Sequence, residues 1–169
     1  MIERVVFDEQ TIADRVSKLG TEIAGDYEEK VPMLIGTLNS GATFMADLSR
    51  AARIPLEIDF IAVSRFGRSG SARFEKDTAA TVEQRHVILV EPVIDTGLTV
   101  QYVISTLQGR SPASIAVCTL LDRPHRRLAQ VDVRYRGFEI ADTFLVGYGL
   151  DYHGRYRELP ALYAYDPAA

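Results

Sequence analysis

Apolar residues recur along this sequence at helical and at strand spacing in turn. The first helical pattern, formed by Ile12, Val16, Leu19 and Ile23, predicts an amphipathic helix over residues 11–27. The same spacing predicts further helices at 44–48 and 98–107. Short apolar runs that end at turn residues predict strands at 33–38, 56–63, 87–90, 115–121, 131–135 and 144–146.

This alternation favours an α/β fold, with an open, mainly parallel sheet flanked by helices. The run 87–90 is the most hydrophobic in the chain and suits a central strand that is buried on both faces. The 169 residues, 47% of them hydrophobic, suffice for one domain that buries roughly 70% of its unfolded surface. Ligands of such sheets bind beyond the C-terminal ends of the strands, where we expect the functional residues.

One stretch, roughly 64–80, departs from the alternation. Small residues (Gly67, Ser69, Gly70 and Ser71) are interspersed there with arginine and lysine. This composition predicts a mobile basic loop. An inert hairpin tip is the alternative that the pattern leaves open.

The charge and the cysteine content of the chain disfavour some classes of protein. The formal net charge is -4 and the pI about 5.4, which do not favour a protein that coats nucleic acid or anionic membranes. The single cysteine, Cys118, lies in an apolar run and is expected to be a small buried hydrophobe. The charged N-terminus lacks the apolar segment of a secretion signal. We therefore expect a cytoplasmic protein.

The stretch 87–99, VILVEPVIDTGLT, carries most of the chemistry. A buried strand ends near Glu91 and continues through a loop of small residues into a helix. The backbone N–H groups of residues 95–99 can converge at the helix N-terminus, and together with the Thr96 and Thr99 hydroxyls they can bind a phosphate monoester. Gly97 permits close approach of a ligand, and Glu91 can accept hydrogen bonds from sugar hydroxyls or hold Mg²⁺ indirectly. The alternative is that the Asp95-Thr96-Gly97 turn merely caps the helix.

Four segments in the same order resemble the hypoxanthine-guanine members of the type I phosphoribosyltransferases. EPVIDTGLT at 91–99 is similar to the family signature EDIIDTGxT. The others are TLNSGATFMADL at 37–48, CTLLDRPHRR at 118–127 and FLVGYGLDYHGRYR at 144–157. The resemblance implies synthesis of IMP or GMP from hypoxanthine or guanine and phosphoribosyl pyrophosphate, with release of pyrophosphate and with Mg²⁺ as cofactor. It also implies a small hood built from the N-terminal residues and roughly 139–169.

The resemblance implies a role for each matching residue. Asp95 is the expected general base near purine N7. The ribose and 5-phosphate would be bound by Glu91, Asp95, Thr96, Gly97, Leu98 and Thr99. The purine would be bound by Ile94, Arg123, Phe144, Leu145 and Asp151, with Phe144 stacked on the ring. The pyrophosphate would be bound by Leu38, Asn39, Ser40, Arg65 and Arg157, and the metal by Glu91 and Asp151.

Arg123 stands where the family has a lysine that bonds the 6-oxo group. The arginine side chain has hydrogen-bond donors and no acceptor. It can therefore donate to a carbonyl oxygen, but it would place a donor against the amino group of adenine. A site built for one hydrogen-bonding pattern can disfavour a base with the wrong pattern by up to ~10⁴-fold. We therefore expect 6-oxopurines to be preferred over adenine. The choice among hypoxanthine, guanine and xanthine stays open.

Positions in three loops also depart from the family pattern. Pro92 replaces an aspartate that helps to hold the ribose hydroxyls, and the loss of a charged hydrogen bond costs about 1.5 to 3 kcal/mol. Weak binding of the phosphoribosyl donor is therefore expected. Asn39 replaces a basic residue, and the sequence leaves open whether the Leu38–Asn39 peptide is cis. Arg65 and Phe66 lie where a serine-tyrosine pair normally closes over the site.

Two alternatives remain at this point. These departures could have produced a paralogue that binds purine nucleotides as a sensor and turns over poorly. A regulator that binds RNA would need a basic face, for which Arg123, Arg126 and Arg127 are the nearest candidates. The family resemblance implies a homodimer or homotetramer, and we expect no membrane and no nucleic-acid partner.

Overall fold

A computed structural model describes residues 1–64 and 72–168, and within them two sheets. The larger sheet has six strands in the order β4-β3-β2-β5-β6-β7, all parallel except the edge strand β4. These strands are β2 (Met33–Thr37), β3 (Glu57–Ser64), β4 (Arg73–Lys76), β5 (His86–Ile94), β6 (Ser114–Asp122) and β7 (Tyr135–Glu139). The helices are α1 (Glu9–Asp26), α2 (Ala42–Ala52) and α3 (Leu98–Gln108). The predicted fold class is confirmed.

Helices cover both faces of the large sheet. The buried residues of α1 and α2 share one core cluster with β5 and β6, and those of α3 share a second cluster with β2 and β5. Central β5 is therefore apolar on both faces, as its hydrophobic run predicted. At Gly20, α1 lies so close to α2 that a Cβ would stand 2.5 Å from the backbone carbon of Ala51.

The two chain ends meet in a second, antiparallel sheet. Its strands are β1 (Ile2–Phe7), β9 (Leu162–Tyr165) and β8 (Leu145–Val146), in that order. The charged N-terminus gave no strand signal, because β1 is stabilised by pairing with β9, far away in sequence. This sheet carries Leu145 beside the C-terminal edge of the large sheet.

Two predicted elements need correction. Residues 73–76 form a strand paired with β3 instead of a loop, because Phe74 packs against Tyr102 of α3 and under the guanidinium of Arg110. The hairpin alternative fits these residues better. The strand expected at 131–135 instead spans Tyr135–Glu139, and Val131 and Val133 pack against the α3 side of the core.

Cys118 is fully buried in the core, and this burial raises the pKa of its thiol. This confirms its prediction as a small core residue. Within the described residues, no helix is long and apolar enough to span a membrane.

Candidate active site

A cleft of about 950 Å³ opens at the C-terminal ends of β2, β5 and β6, facing the small sheet. This is the edge at which parallel sheets bind ligands. It brings together every predicted site residue that the structure describes. These are Leu38, Asn39, Ser40, Glu91, Ile94, Asp95, Thr96, Gly97, Leu98, Thr99, Arg123, Phe144, Leu145, Asp151 and Arg157. Arg65 and Phe66 lie outside the described residues.

The loop between β5 and α3 has the geometry of an anion site. Gly97 caps α3 at φ 82°, and a Cβ there would lie 2.8 Å from the Ala129 carbonyl oxygen. The N–H groups of Leu128 and Ala129 donate to the Thr96 carbonyl at 2.9 and 3.1 Å. The following segment thus holds the loop from behind. Leu98 N–H makes a long contact of 3.4 Å with Thr96 Oγ1, and the N–H groups of a first helical turn, which have no partner within the helix, can bind an anion.

Glu91 is a buried acidic residue in β5. The Thr37 hydroxyl at the end of β2 donates to its Oε2 at 2.9 Å. Both residues line the cleft, so two adjacent parallel strands hold this carboxylate where a sugar hydroxyl would need an acceptor.

Asp95 lies beside three arginines from the turn after β6. Its Oδ1 is 3.1 Å from Arg126 Nε and 3.9 Å from Arg123 Nη1. Arg127 Nη1 donates to the Asp95 carbonyl at 2.5 Å. The Arg123 guanidinium also donates to the Thr143 carbonyl, and its buried Nε makes no hydrogen bond within the described part of the chain. The Arg123 side chain lines the cleft.

The opposite side of the cleft combines an exposed aromatic ring with an ion pair. Phe144 is 42% exposed and meets Tyr152 edge-on, with ring centroids 5.8 Å apart. Asp151 Oδ1 is 2.8 Å from Arg157 Nη2. An exposed ring at a cleft wall can stack on a planar ligand.

The loop after β2 is joined to this side. The Leu38–Asn39 peptide is cis, which answers the question that the sequence left open. Arg157 Nη1 donates to Ser40 Oγ at 2.7 Å and to the Gly149 carbonyl at 2.6 Å. A Cβ at Gly149, which has φ 92°, would lie 2.5 Å from the Ser40 carbonyl oxygen, so only glycine permits this contact.

Known proteins have similar sequences and the same fold. The sequence matches the phosphoribosyl transferase domain over residues 5–153. It is 40% identical to the hypoxanthine-guanine phosphoribosyltransferase of Bacillus subtilis over 171 residues, which cover 99% of this chain and 95% of that protein. It is also 40% identical to the Haemophilus influenzae hypoxanthine phosphoribosyltransferase over 162 residues, 92% and 90% of the two chains.

A solved structure has the same fold as this chain. The hypoxanthine-guanine phosphoribosyltransferase of Bacillus anthracis superimposes with a TM-score of 0.95 at 33% identity, covering 98% of this chain and all of that one. The chain belongs to the hypoxanthine-guanine phosphoribosyltransferase family. The predicted family is therefore confirmed, and so is the predicted enzyme class.

In this member of the hypoxanthine-guanine phosphoribosyltransferases, a proline lines the cleft beside Glu91. Buried Pro92 lies within β5 between Glu91, which pairs with Thr119, and Val93, which pairs with Leu121. Proline has no N–H to donate, so this position supplies neither a carboxylate nor a backbone donor.

The sequence did not lead us to Asp122, a buried carboxylate beneath the site of this hypoxanthine-guanine phosphoribosyltransferase. Asp122, at the end of β6, is fully buried and forms ion pairs with Arg127 and with Arg136 Nε, the latter at 2.7 Å. Because Arg127 also bonds the Asp95 carbonyl, Asp122 supports the loop from below. Its place at the end of a buried strand was a signal that could have identified it.

The arginines of the predicted basic face are ion-paired. Arg127 contacts Asp122, Arg126 contacts Asp95 and Asp142, and Arg123 lies near Asp95. Their charges face carboxylates in and beside the cleft, which removes the main support for the RNA-binding alternative.

Proposed function

We propose that the protein transfers the 5-phosphoribosyl group from phosphoribosyl pyrophosphate to N9 of hypoxanthine or guanine. The observation that carries this proposal is that one cleft, in a chain of this family, collects an anion loop, the carboxylate of Glu91 and the exposed aromatic ring of Phe144. The products are IMP or GMP and pyrophosphate. We further propose that it acts in the cytoplasm as a homodimer or homotetramer, as the family resemblance implies.

The phosphate and ribose would lie against the end of β5. The backbone of residues 95–99 and the hydroxyls of Thr96 and Thr99 would donate to the 5-phosphate at the start of α3, where the helix dipole favours an anion. Glu91 would accept hydrogen bonds from the ribose hydroxyls. Gly97 and Leu98 would contribute through their backbone N–H groups.

The purine would lie between the two sheets. Phe144 would stack on its ring, Ile94 would line its pocket, and the backbone of Leu145 would bond its edge. Arg123 would donate to the 6-oxo oxygen, and Asp151 would face the 2-position. The pyrophosphate would bind to Arg157 and to the loop of Leu38, Asn39 and Ser40. Arg65, outside the described residues, is proposed to help there.

Asp95 would move the proton. As the N9 electron pair forms a bond to C1 of the ribose, the bond from C1 to the pyrophosphate oxygen breaks, and pyrophosphate leaves with that electron pair. The purine N7 proton passes to the Asp95 carboxylate, which removes the positive charge from the ring. General bases in such positions contribute about 10²- to 10⁴-fold.

The cleft fits Mg²⁺ held jointly with substrate. The described residues contain no cluster of three or more metal-binding side chains. Mg²⁺ commonly binds through one or two carboxylates together with substrate phosphates. Two carboxylates, those of Glu91 and Asp151, line the cleft. When bound, the ion would offset the negative charge of the pyrophosphate.

The test is steady-state synthesis of IMP and GMP from each base, phosphoribosyl pyrophosphate and Mg²⁺, with adenine and D95A in parallel. Turnover of both 6-oxopurines, lost in D95A and absent without Mg²⁺, supports the proposal. Absence of turnover at saturating donor, with GMP still bound, would overturn it in favour of a nucleotide-binding protein. Light scattering at assay concentration tests the oligomeric state.

A further inference from the structure

Arg126 joins the Asp95 loop to the segment that carries the exposed aromatic ring. Its Nε is 3.1 Å from Asp95 Oδ1, and its Nη1 donates to Asp142 Oδ1 at 2.8 Å. Asp142 stands two residues before Phe144. The Arg126 side chain is 42% exposed and lines the cleft, so it can touch Asp95 while a ligand is present.

The contact engages one oxygen of the carboxylate. Oδ1 of Asp95 is buried, while the Asp95 side chain as a whole is 39% exposed. The exposed surface must therefore belong to the other side-chain atoms, and Oδ2 is the carboxylate oxygen left to face a ligand. Arg126 contacts the buried oxygen through an ion pair, without hydrogen-bond geometry.

The other charged groups around Asp95 are less suited than Arg126 to contact its Oδ1. Arg123 Nη1 is farther from Oδ1, at 3.9 Å, and its guanidinium donates to the Thr143 carbonyl. Arg127 bonds the Asp95 backbone and the buried Asp122. Asp142 forms an ion pair with Arg126.

We propose that Arg126 is a positioning residue for the reaction, one that fixes Asp95 so that Oδ2 meets purine N7. This inference rests on the proposed function, in which Asp95 is the general base. Asp142 in turn holds Arg126, and this couples the carboxylate to the segment that leads to Phe144.

The test compares kcat for IMP synthesis with the Kd for GMP in R126Q, R126K and D142N. We expect R126Q to lower kcat by about tenfold to a hundredfold, since misorientation of a catalytic group costs that order. The Kd for GMP should change less than about threefold, so that the loss falls on kcat. R126K should recover part of kcat, and D142N should fall between R126Q and the wild type.

The matched control is R134Q, which removes another arginine–aspartate pair, 2.9 Å long and outside the cleft. It should leave kcat unchanged. Wild-type kcat in R126Q would overturn the inference. So would parallel losses of kcat, GMP binding and thermal stability.

The outcomes separate this inference from the proposed function. If the wild type turns over and D95A does not, while R126Q matches the wild type, only the role of Arg126 fails. If the wild type makes neither IMP nor GMP, both fail.

Discussion

Arg157 Nη1 donates a 2.7 Å hydrogen bond to Ser40 Oγ and thereby joins two segments that are 117 residues apart. The same guanidinium bonds the Gly149 carbonyl and pairs with Asp151. One side chain thus holds together the loop that we propose binds pyrophosphate and a carboxylate that we propose supports Mg²⁺. Few positions in the cleft connect so many proposed ligands.

Arg157→Ala is expected to weaken donor binding. Loss of a charged hydrogen bond costs about 1.5 to 3 kcal/mol, so KM for phosphoribosyl pyrophosphate should rise roughly tenfold to a hundredfold. Initial rates at varied donor concentration measure the effect. Arg155→Ala, an exposed arginine of the same segment, is the control and should leave KM unchanged. A KM for Arg157→Ala equal to that of the control would contradict the assignment.

Arg123→Met is expected to reduce purine discrimination. The variant has no donor for the 6-oxo group, so kcat/KM for hypoxanthine should fall roughly tenfold to a hundredfold, and the ratio of kcat/KM for hypoxanthine to that for adenine should decrease. Arg123→Lys retains a donor and should keep the ratio. Competition between hypoxanthine and adenine measures it. Comparable wild-type rates with both bases would refute the specificity argument.

Pro92→Asp is expected to tighten donor binding. The new carboxylate and N–H could both reach the ribose side of the cleft, which Pro92 lines. KM for phosphoribosyl pyrophosphate should fall by about tenfold, the equivalent of one charged hydrogen bond. Pro92→Ala restores the N–H alone and separates the two contributions. An unchanged or higher KM in Pro92→Asp would show that the proline does not limit affinity.

Gly97→Ala is expected to damage both the fold and phosphate binding. Its φ of 82° and the 2.8 Å approach of a Cβ to the Ala129 carbonyl require a backbone shift. We expect a loss of about 1 to 3 kcal/mol in the free energy of unfolding and weaker binding of GMP. Gly154→Ala has φ 79° but no atom within 4 Å of its Cβ, so it isolates the cost of the dihedral angle. Equal losses in the two variants would exclude the clash.

Stability is expected to fall in alkali, partly through Tyr148. Burial and the 2.6 Å hydrogen bond to Asp47 raise the pKa of Tyr148. Since the unfolded phenol ionises near pH ~10, its contribution is complete below that pH and is lost as the pH rises toward the higher folded value. Urea unfolding at pH 8 and at pH 11 should show a smaller loss in Tyr148→Phe than in the wild type. Equal losses would assign the effect to other groups.

Local chemistry made the central part of the site predictable from sequence. The run 87–90 is apolar on both faces, and the small residues after it can form only a tight turn into a helix, so the strand and the anion loop follow from neighbouring residues. The helices were predictable for the same reason, because their apolar residues recur at helical spacing. The family resemblance, rather than the local pattern, supplied the proposed roles of Phe144, Asp151 and Arg157.

Contacts between distant residues decided the rest. β1 is stabilised by β9, and β4 by Phe74 on Tyr102, so neither strand had a clear local signal. The same holds for the arginines after β6. Their sequence gives a basic cluster, but whether these charges meet RNA or carboxylates depends on what folding brings within a few ångströms. The tertiary structure brings Asp95, Asp122 and Asp142 there, and this proximity turns a basic cluster into the wall of a cleft.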